Sequence, residues 1–121
     1  MATENAMQTV SFVAGADLST HQFKFVKLNS SGQVVLASAA GEAVVGVLQD
    51  NPIAGQPAQV CIGGQCKVRM GGAVATGSAL ATTASGVGAV ATTGNQILGF
   101  VSEGTAGANI GSVVFQPQGI K

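Results

Sequence analysis

The chain has 121 residues, enough for one domain with a sizeable core, yet only 8% are charged and the formal net charge is zero, against about 25% charged in an ordinary soluble domain. Its cations (Lys24, Lys27, Lys67, Arg69, Lys121) are scattered, which argues against nucleic-acid binding through phosphate neutralisation. There is no apolar run of about 18 residues, so no helical membrane span is expected. A surface this poor in charge promotes association, and the chain is expected to live in an assembly.

In chain order, residues 1–8 are polar and unpatterned and read as an extended N-terminal arm, free or docked on a partner. The start, Met1-Ala2-Thr3-Glu4-Asn5, lacks a basic stretch followed by an apolar one. It is not a secretory signal, so synthesis in a cytoplasm is expected. Residues 9–14 (TVSFVA) predict a first strand, and 15–20 a turn cluster. Phe23 and Phe25 alternate with Lys24 and open a half-buried strand that runs to Leu28. Asn29-Ser30-Ser31-Gly32 is turn chemistry, and residues 33–37 (QVVLA) are strand-like.

Residues 43–50 (AVVGVLQD) form an apolar β-branched stretch interrupted by Gly46. Pro52 and Pro57 exclude a helix interior in the next loop. Residues 58–62 (AQVCI) and 65–70 (QCKVRM) flank Gly63-Gly64, a two-residue loop that predicts a hairpin. Cys61 would then face Cys66 across it, at the short end of disulfide geometry. Two reduced, packed thiols are the preferred reading in a cytoplasm-made protein. The Ala/Thr/Gly-rich stretch 71–94 keeps a strand alternation, residues 96–103 (QILGFVSE) form another strand, and 110–116 (IGSVVFQ) a closing one before a tail at 117–121.

The chain repeats itself. Val44, Val45, Gly46, Val47 and Asp50 match Ile97, Leu98, Gly99, Phe100 and Glu103 at a constant separation of 53. Residues 31–37 align with 85–91, Ala54-Gly55 with Ala106-Gly107, and 60–62 with 113–115. The order is preserved across all four segments. The expected fold is therefore all-β: a small single-domain barrel or sandwich of about ten short strands with an internal two-fold repeat. The domain is expected over 9–116, with halves near 16–62 and 70–115. A glycine inside each central strand marks a bulge, a bend or the close approach of another backbone; in a small barrel, Gly46 and Gly99 read as bending points.

Chemistry is thinly represented. His21 is the only histidine and sits in a polar turn near Asp17 and Ser19, poor material for a triad. One pair of cysteines and one histidine make a weak metal set. Glu4, Asp17, Glu42, Asp50 and Glu103 are isolated from one another. Gly86-Val87-Gly88-Ala89-Val90-Ala91 fits a loose dinucleotide fingerprint but sits in strand-forming surroundings rather than before a helix. Asn29-Ser30-Ser31 has the form of a glycosylation sequon and reads here as a turn. No catalytic, cofactor-binding or metal residue is assigned, and no enzyme activity is expected.

Phe25-Val26-Lys27-Leu28, Ala40-Gly41-Glu42, Val45-Gly46-Val47-Leu48, Ala54-Gly55 and the run 71–80 (GGAVATGSAL) occur in an order that resembles the capsid cement, or head decoration, proteins of tailed bacteriophages. The resemblance spans roughly 8–116. It implies a structural virion protein on the outer capsid surface, made in the host cytoplasm. Such a protein bridges major capsid subunits, commonly as a homotrimer, with no cofactor, nucleic acid or membrane partner. On that reading Thr3, Asn5, Met7, Val10 and Phe12 of the arm are candidate capsid contacts. Ala73, Val74, Ala75, Leu80 and Val90 are candidate oligomer contacts. Gly46, Gly99, Gly63, Gly64, Cys61 and Cys66 are structural. The alternative is an adhesive or ligand-binding β module of a phage fibre or surface array. An ice-binding face, suggested by Thr82-Thr83 and Thr92-Thr93, lacks regular spacing.

Overall fold

Short alternating runs, separated by glycine and Asx turns, produce strands almost throughout. The structure, a computed structural model, describes residues 5–121, with side chains from Met7 onward. Among these residues there is no helix and there are nine strands: β1 Asn5–Val13, β2 Phe25–Leu28, β3 Val34–Leu36, β4 Gly46–Leu48, β5 Pro57–Arg69, β6 Ala79–Thr82, β7 Gly88–Val90, β8 Gln96–Glu103 and β9 Ile110–Ile120. The fold is an all-β single domain, a curled sheet of antiparallel strands in the order β3-β2-β4-β5-β9-β8-β6-β7, with β1 on β5.

The long strand β5 corrects the expected hairpin. Gly63-Gly64 is not a turn, and β5 runs straight through it. The first half of β5 pairs with β4 through Cys61↔Val47 and with β1 through Thr9↔Cys61; from Gly64 onward it pairs with β9. The two glycines therefore mark the point where a strand changes partners. Ile62 is bulged there, because Gln8 stands opposite Gly63 and Thr9 opposite Cys61. Gly64 has φ +78°, a conformation other residues rarely adopt. Cys61 and Cys66 do not face each other: Cys61 is opposite Val47 and Cys66 opposite Val113. Both are buried and reduced.

The ends differ from expectation too. β1 begins at Asn5 rather than Thr9, so residues 5–8 belong to the sheet and not to a loose arm. β9 continues to Ile120, and Gln96↔Ile120 and Ile97↔Gly119 tie residues 117–120 to β8.

The internal repeat is fully expressed. β1, β2, β3, β4 and the first half of β5 form one unit; the second half of β5 with β6, β7, β8 and β9 forms the other. Each unit curls until its outer strands meet at one parallel bridge, Ala14↔Val34 in the first and Met70↔Gly88 in the second. The bonds around these bridges correspond: Gly15 N–H donates to Val34 O (2.8 Å) and Gly71 N–H to Gly88 O (3.0 Å). Leu18 N–H donates to Pro52 O, as Val74 N–H does to Thr105 O. The Ser-Gly turns also correspond. Asn29 Oδ1 accepts from Ser31 and Gln33, Thr83 Oγ1 accepts from Ser85, and Gly32 and Gly86 have φ +75° and +83°. Side-chain acceptors of this kind stabilise a turn locally.

The core lies in two clusters. One fills the first unit with Leu18, Val26, Val34, Leu48 and Val60. The other fills the second unit with Met70, Leu80, Leu98, Val101 and Val113, and extends to Phe25, Val47 and Cys61 of the first. The second cluster therefore spans the junction. Gly46 and Gly99 owe their identity to packing against backbone more than to bending: a Cβ on either would lie 2.1 Å from a carbonyl oxygen, of Cys61 or of Val114.

Candidate interaction surfaces

Strand register places equivalent side chains in two parallel rows. In the first unit, Phe25, Val47 and Cys61 stand side by side across β2, β4 and β5. In the second, Ala79, Phe100 and Val114 do the same across β6, β8 and β9. The first row is fully buried in the junction cluster. The second faces outward, with Phe100 38% and Val114 40% exposed. The opposite ends show the reverse pattern. Cys66 and Phe115 of the second unit are buried in the junction, whereas their counterparts in the first, Val10 and Ile62, are each 37% exposed. Apolar side chains are exposed at both ends; on the second wall Gln65, opposite Val114, adds a polar edge and donates to Ser102 Oγ at 2.8 Å.

A third feature is a cleft of about 500 Å³ between the end of β5 and β7, lined by residues that include Gly71, Gly72, Ala73, Val87 and Val90. In the first unit a Cβ on the counterpart Gly15 would meet Asn29, Gln33 and Val35; in the second, a Cβ on Gly71 would meet Val87 at 2.8 Å, and the smaller Thr83 and Ala89 stand where Asn29 and Val35 do. The cleft holds two hydroxyls, Thr83 and Ser85, which bond each other at 3.1 Å, and no charge.

The candidate oligomer contacts divide. Val74 and Leu80 are buried core residues and present nothing to a partner. Ala73, Ala75 and Val90 are more accessible, and Ala73 and Val90 line the cleft. Of the candidate capsid contacts, Thr3 lies outside the described residues and Asn5 is described only as a backbone partner of Gln65. Met7 and Phe12 are half-buried against the core clusters; Val10 is exposed on β1. Sequence reasoning misses the outward faces of Phe100, Val114 and Ile62. The signal is present in the repeat alignment, where Val47 matches Phe100: a larger apolar residue stands where no further unit covers it.

The polar groups form local structure. Lys24 Nζ lies 3.2 Å from His21 Nδ1. Burial, then the Lys24 charge, lowers the His21 pKa, with Asp17 opposing. Asp17 itself is held below its ordinary value chiefly by its bonds to Ser19. Lys27 pairs with Glu42 at 3.1 Å, and Glu42 also accepts from Ser38 N–H. Among the described residues no cluster of three or more His, Cys, Asp or Glu is arranged to hold a metal ion.

Phe23 is the one non-glycine residue described with positive φ, +67°. Its N–H donates to Leu48 O and its O accepts from Arg69 N–H, both at 2.7 Å. Lys67 Nζ sits 5.9 Å from the ring centroid, within cation–π range. In the second unit the same place is held by Gly77, whose N–H donates to Val101 O.

Comparison with protein-family models finds no match, and comparison with curated proteins finds none either. Among solved structures, the chain is similar to the N base of the head fibre protein gp8.5 of bacteriophage phi29. The superposition has a TM-score of 0.71 at 13% identity and covers 95% of this chain and 98% of that one. The two proteins share the fold over essentially their whole lengths.

Proposed function

We propose that this chain is a structural protein of a phage virion that binds the outer surface of the head and bridges neighbouring major capsid subunits as a homotrimer. The observation that carries the reading is the end-to-end fold likeness to the base of a phage head fibre. The surface supports it: 8% charged residues and exposed apolar side chains on both outer faces suit a protein that buries much of itself against neighbours. Attachment through several copies multiplies weak contacts without any strong single one. The reading assigns no catalytic residue.

The test is co-sedimentation of purified protein with expanded heads that lack it. Saturable binding at a fixed number of copies per head is expected; failure to bind at any concentration contradicts the reading.

A second reading is favoured by the neighbour being a fibre base: the chain is the attachment module of a fibre or surface array. Electron microscopy of decorated heads separates the two. A low knob on the shell belongs to the first, and a projecting stalk to the second.

A further inference from the structure

We infer that the Phe100–Val114 wall of the second unit is a docking surface for a second copy of this chain, which would seat the Val10–Ile62 end of its own first unit there. The chain already makes this contact once, between its two units. In that junction the buried row Phe25, Val47 and Cys61 is the wall, and Cys66 and Phe115 belong to the end packed with it in one cluster. By register, the wall's counterpart is Ala79, Phe100 and Val114. The end's counterpart is Val10 and Ile62. Both halves of the contact therefore recur, exposed, at opposite ends of one molecule.

The main chain repeats the pattern. Across the junction Phe25 N–H donates to Gly86 O, and Arg69 N–H donates to Phe23 O. Gly86 is crowded there: a Cβ on it would lie 2.6 Å from Leu36. The outer counterparts of the two acceptors are Gly32 and Gly77, and both have open space around them. Their donors in the repeated contact are Ala79 and Val13. Two further junction bonds are made by Gly41, whose N–H donates to Thr82 O and whose O accepts from Gln96 N–H; the first is not available for repetition, because the counterpart Gly94 N–H is already bonded to Lys121 O of the same chain. The copy-to-copy contact thus has an apolar centre and at least the two main-chain bonds at Gly32 and Gly77, without the covalent tie that β5 provides inside the chain.

Such a contact is head-to-tail. Each copy offers a wall at one side and an end at the other, so the contacts close into a ring or run on as a filament according to the rotation between units. The trimer proposed above is one closed form. This inference rests on the self-association in that reading and is independent of head binding. It assigns Val10 to a second copy rather than to the capsid.

The experiment uses the full chain, Phe100→Asp and Ile62→Asp, each alone and mixed in equal amounts, in sedimentation velocity. Circular dichroism checks that each variant is folded. Wild type is expected to associate, and each variant alone to associate at least about tenfold more weakly, as expected for a central apolar anchor. The mixture is expected to form a complex of two chains and stop there, because one intact wall meets one intact end. The inference is overturned by a monomeric wild type, by variants that associate like wild type, or by a mixture that stays monomeric. Head co-sedimentation of the same samples separates the readings. Wild type that associates in this pattern yet ignores heads removes the virion function and leaves this contact standing.

Discussion

Gly46 and Gly99 stand in the same relation to one atom type: a Cβ on Gly46 would lie 2.1 Å from Cys61 O, and one on Gly99 would lie 2.1 Å from Val114 O. Cys61 and Val114 are themselves counterparts, each opposite the residue just after the glycine, Val47 or Phe100. A side chain at either position forces strand backbones apart. Gly46→Ala and Gly99→Ala are each expected to lower stability by at least about 3 kcal/mol. Gly32→Ala has open space and only an unfavourable φ of +75° to bear, so it should cost about 1 kcal/mol. Urea unfolding of the three variants checks the order.

Phe23 and Phe25 are close in sequence and opposite in role. Phe25 is fully buried in the junction, and Phe25→Ala is expected to cost about 3–5 kcal/mol. Phe23 is half-buried and holds a backbone conformation that favours glycine or asparagine. Phe23→Asn relieves strain of about 1–2 kcal/mol while losing part of the ring's packing. It is expected to change stability by less than about 1 kcal/mol on those opposing terms. Thermal unfolding of the pair distinguishes a strained position from a core one.

The pH dependence near neutrality should come from His21. Its folded-state pKa lies below the ordinary 6.5, through burial first and the Lys24 charge second. The folded chain therefore binds fewer protons than the unfolded chain as the pH drops through this range. The contribution is fully present above 6.5 and is lost as pH falls through the lowered value. His21→Gln should flatten the urea midpoint between about pH 7 and 5. An NMR titration of the single imidazole should give a midpoint below 6.5, and one above it would contradict the assignment.

Cys61 and Cys66 lie on one continuous strand and are both buried. A thiol reagent should modify neither in the native protein at the rate seen in urea. Cys66→Ser puts a hydroxyl into the junction core and is expected to cost about 1–3 kcal/mol. Rapid native labelling of both thiols would contradict the continuous β5 and favour an open turn at Gly63-Gly64.

Much of this architecture was legible. The repeat of Val45-Gly46-Val47 in Leu98-Gly99-Phe100 announced two equivalent units, and Asn29–Gly32 and Thr83–Gly86 became equivalent turns. Gly63-Gly64 is ambiguous in sequence because a glycine pair satisfies the local demands of a hairpin and of a bulge where a strand changes partners equally well; only the long-range pairing to β9 decides. The kinship of β1 with the second half of β5 is not visible in the sequence because Cys66 and Val68 stand where the first unit has Val10 and Phe12, matching them in neither identity nor burial. Val74 and Leu80 read as partner contacts because the small side chains around them suit close packing against a second copy as well as against the chain's own core. The exposed wall is not legible in the sequence because its exposure is set by whether another unit packs on it, and no single stretch records that.

The most direct measurement of the proposed function is cryo-electron microscopy of expanded phage heads with and without this chain. The account predicts difference density on the outer surface, between neighbouring major capsid subunits, that the two tandem units fit. Identical shells from the two preparations would contradict it.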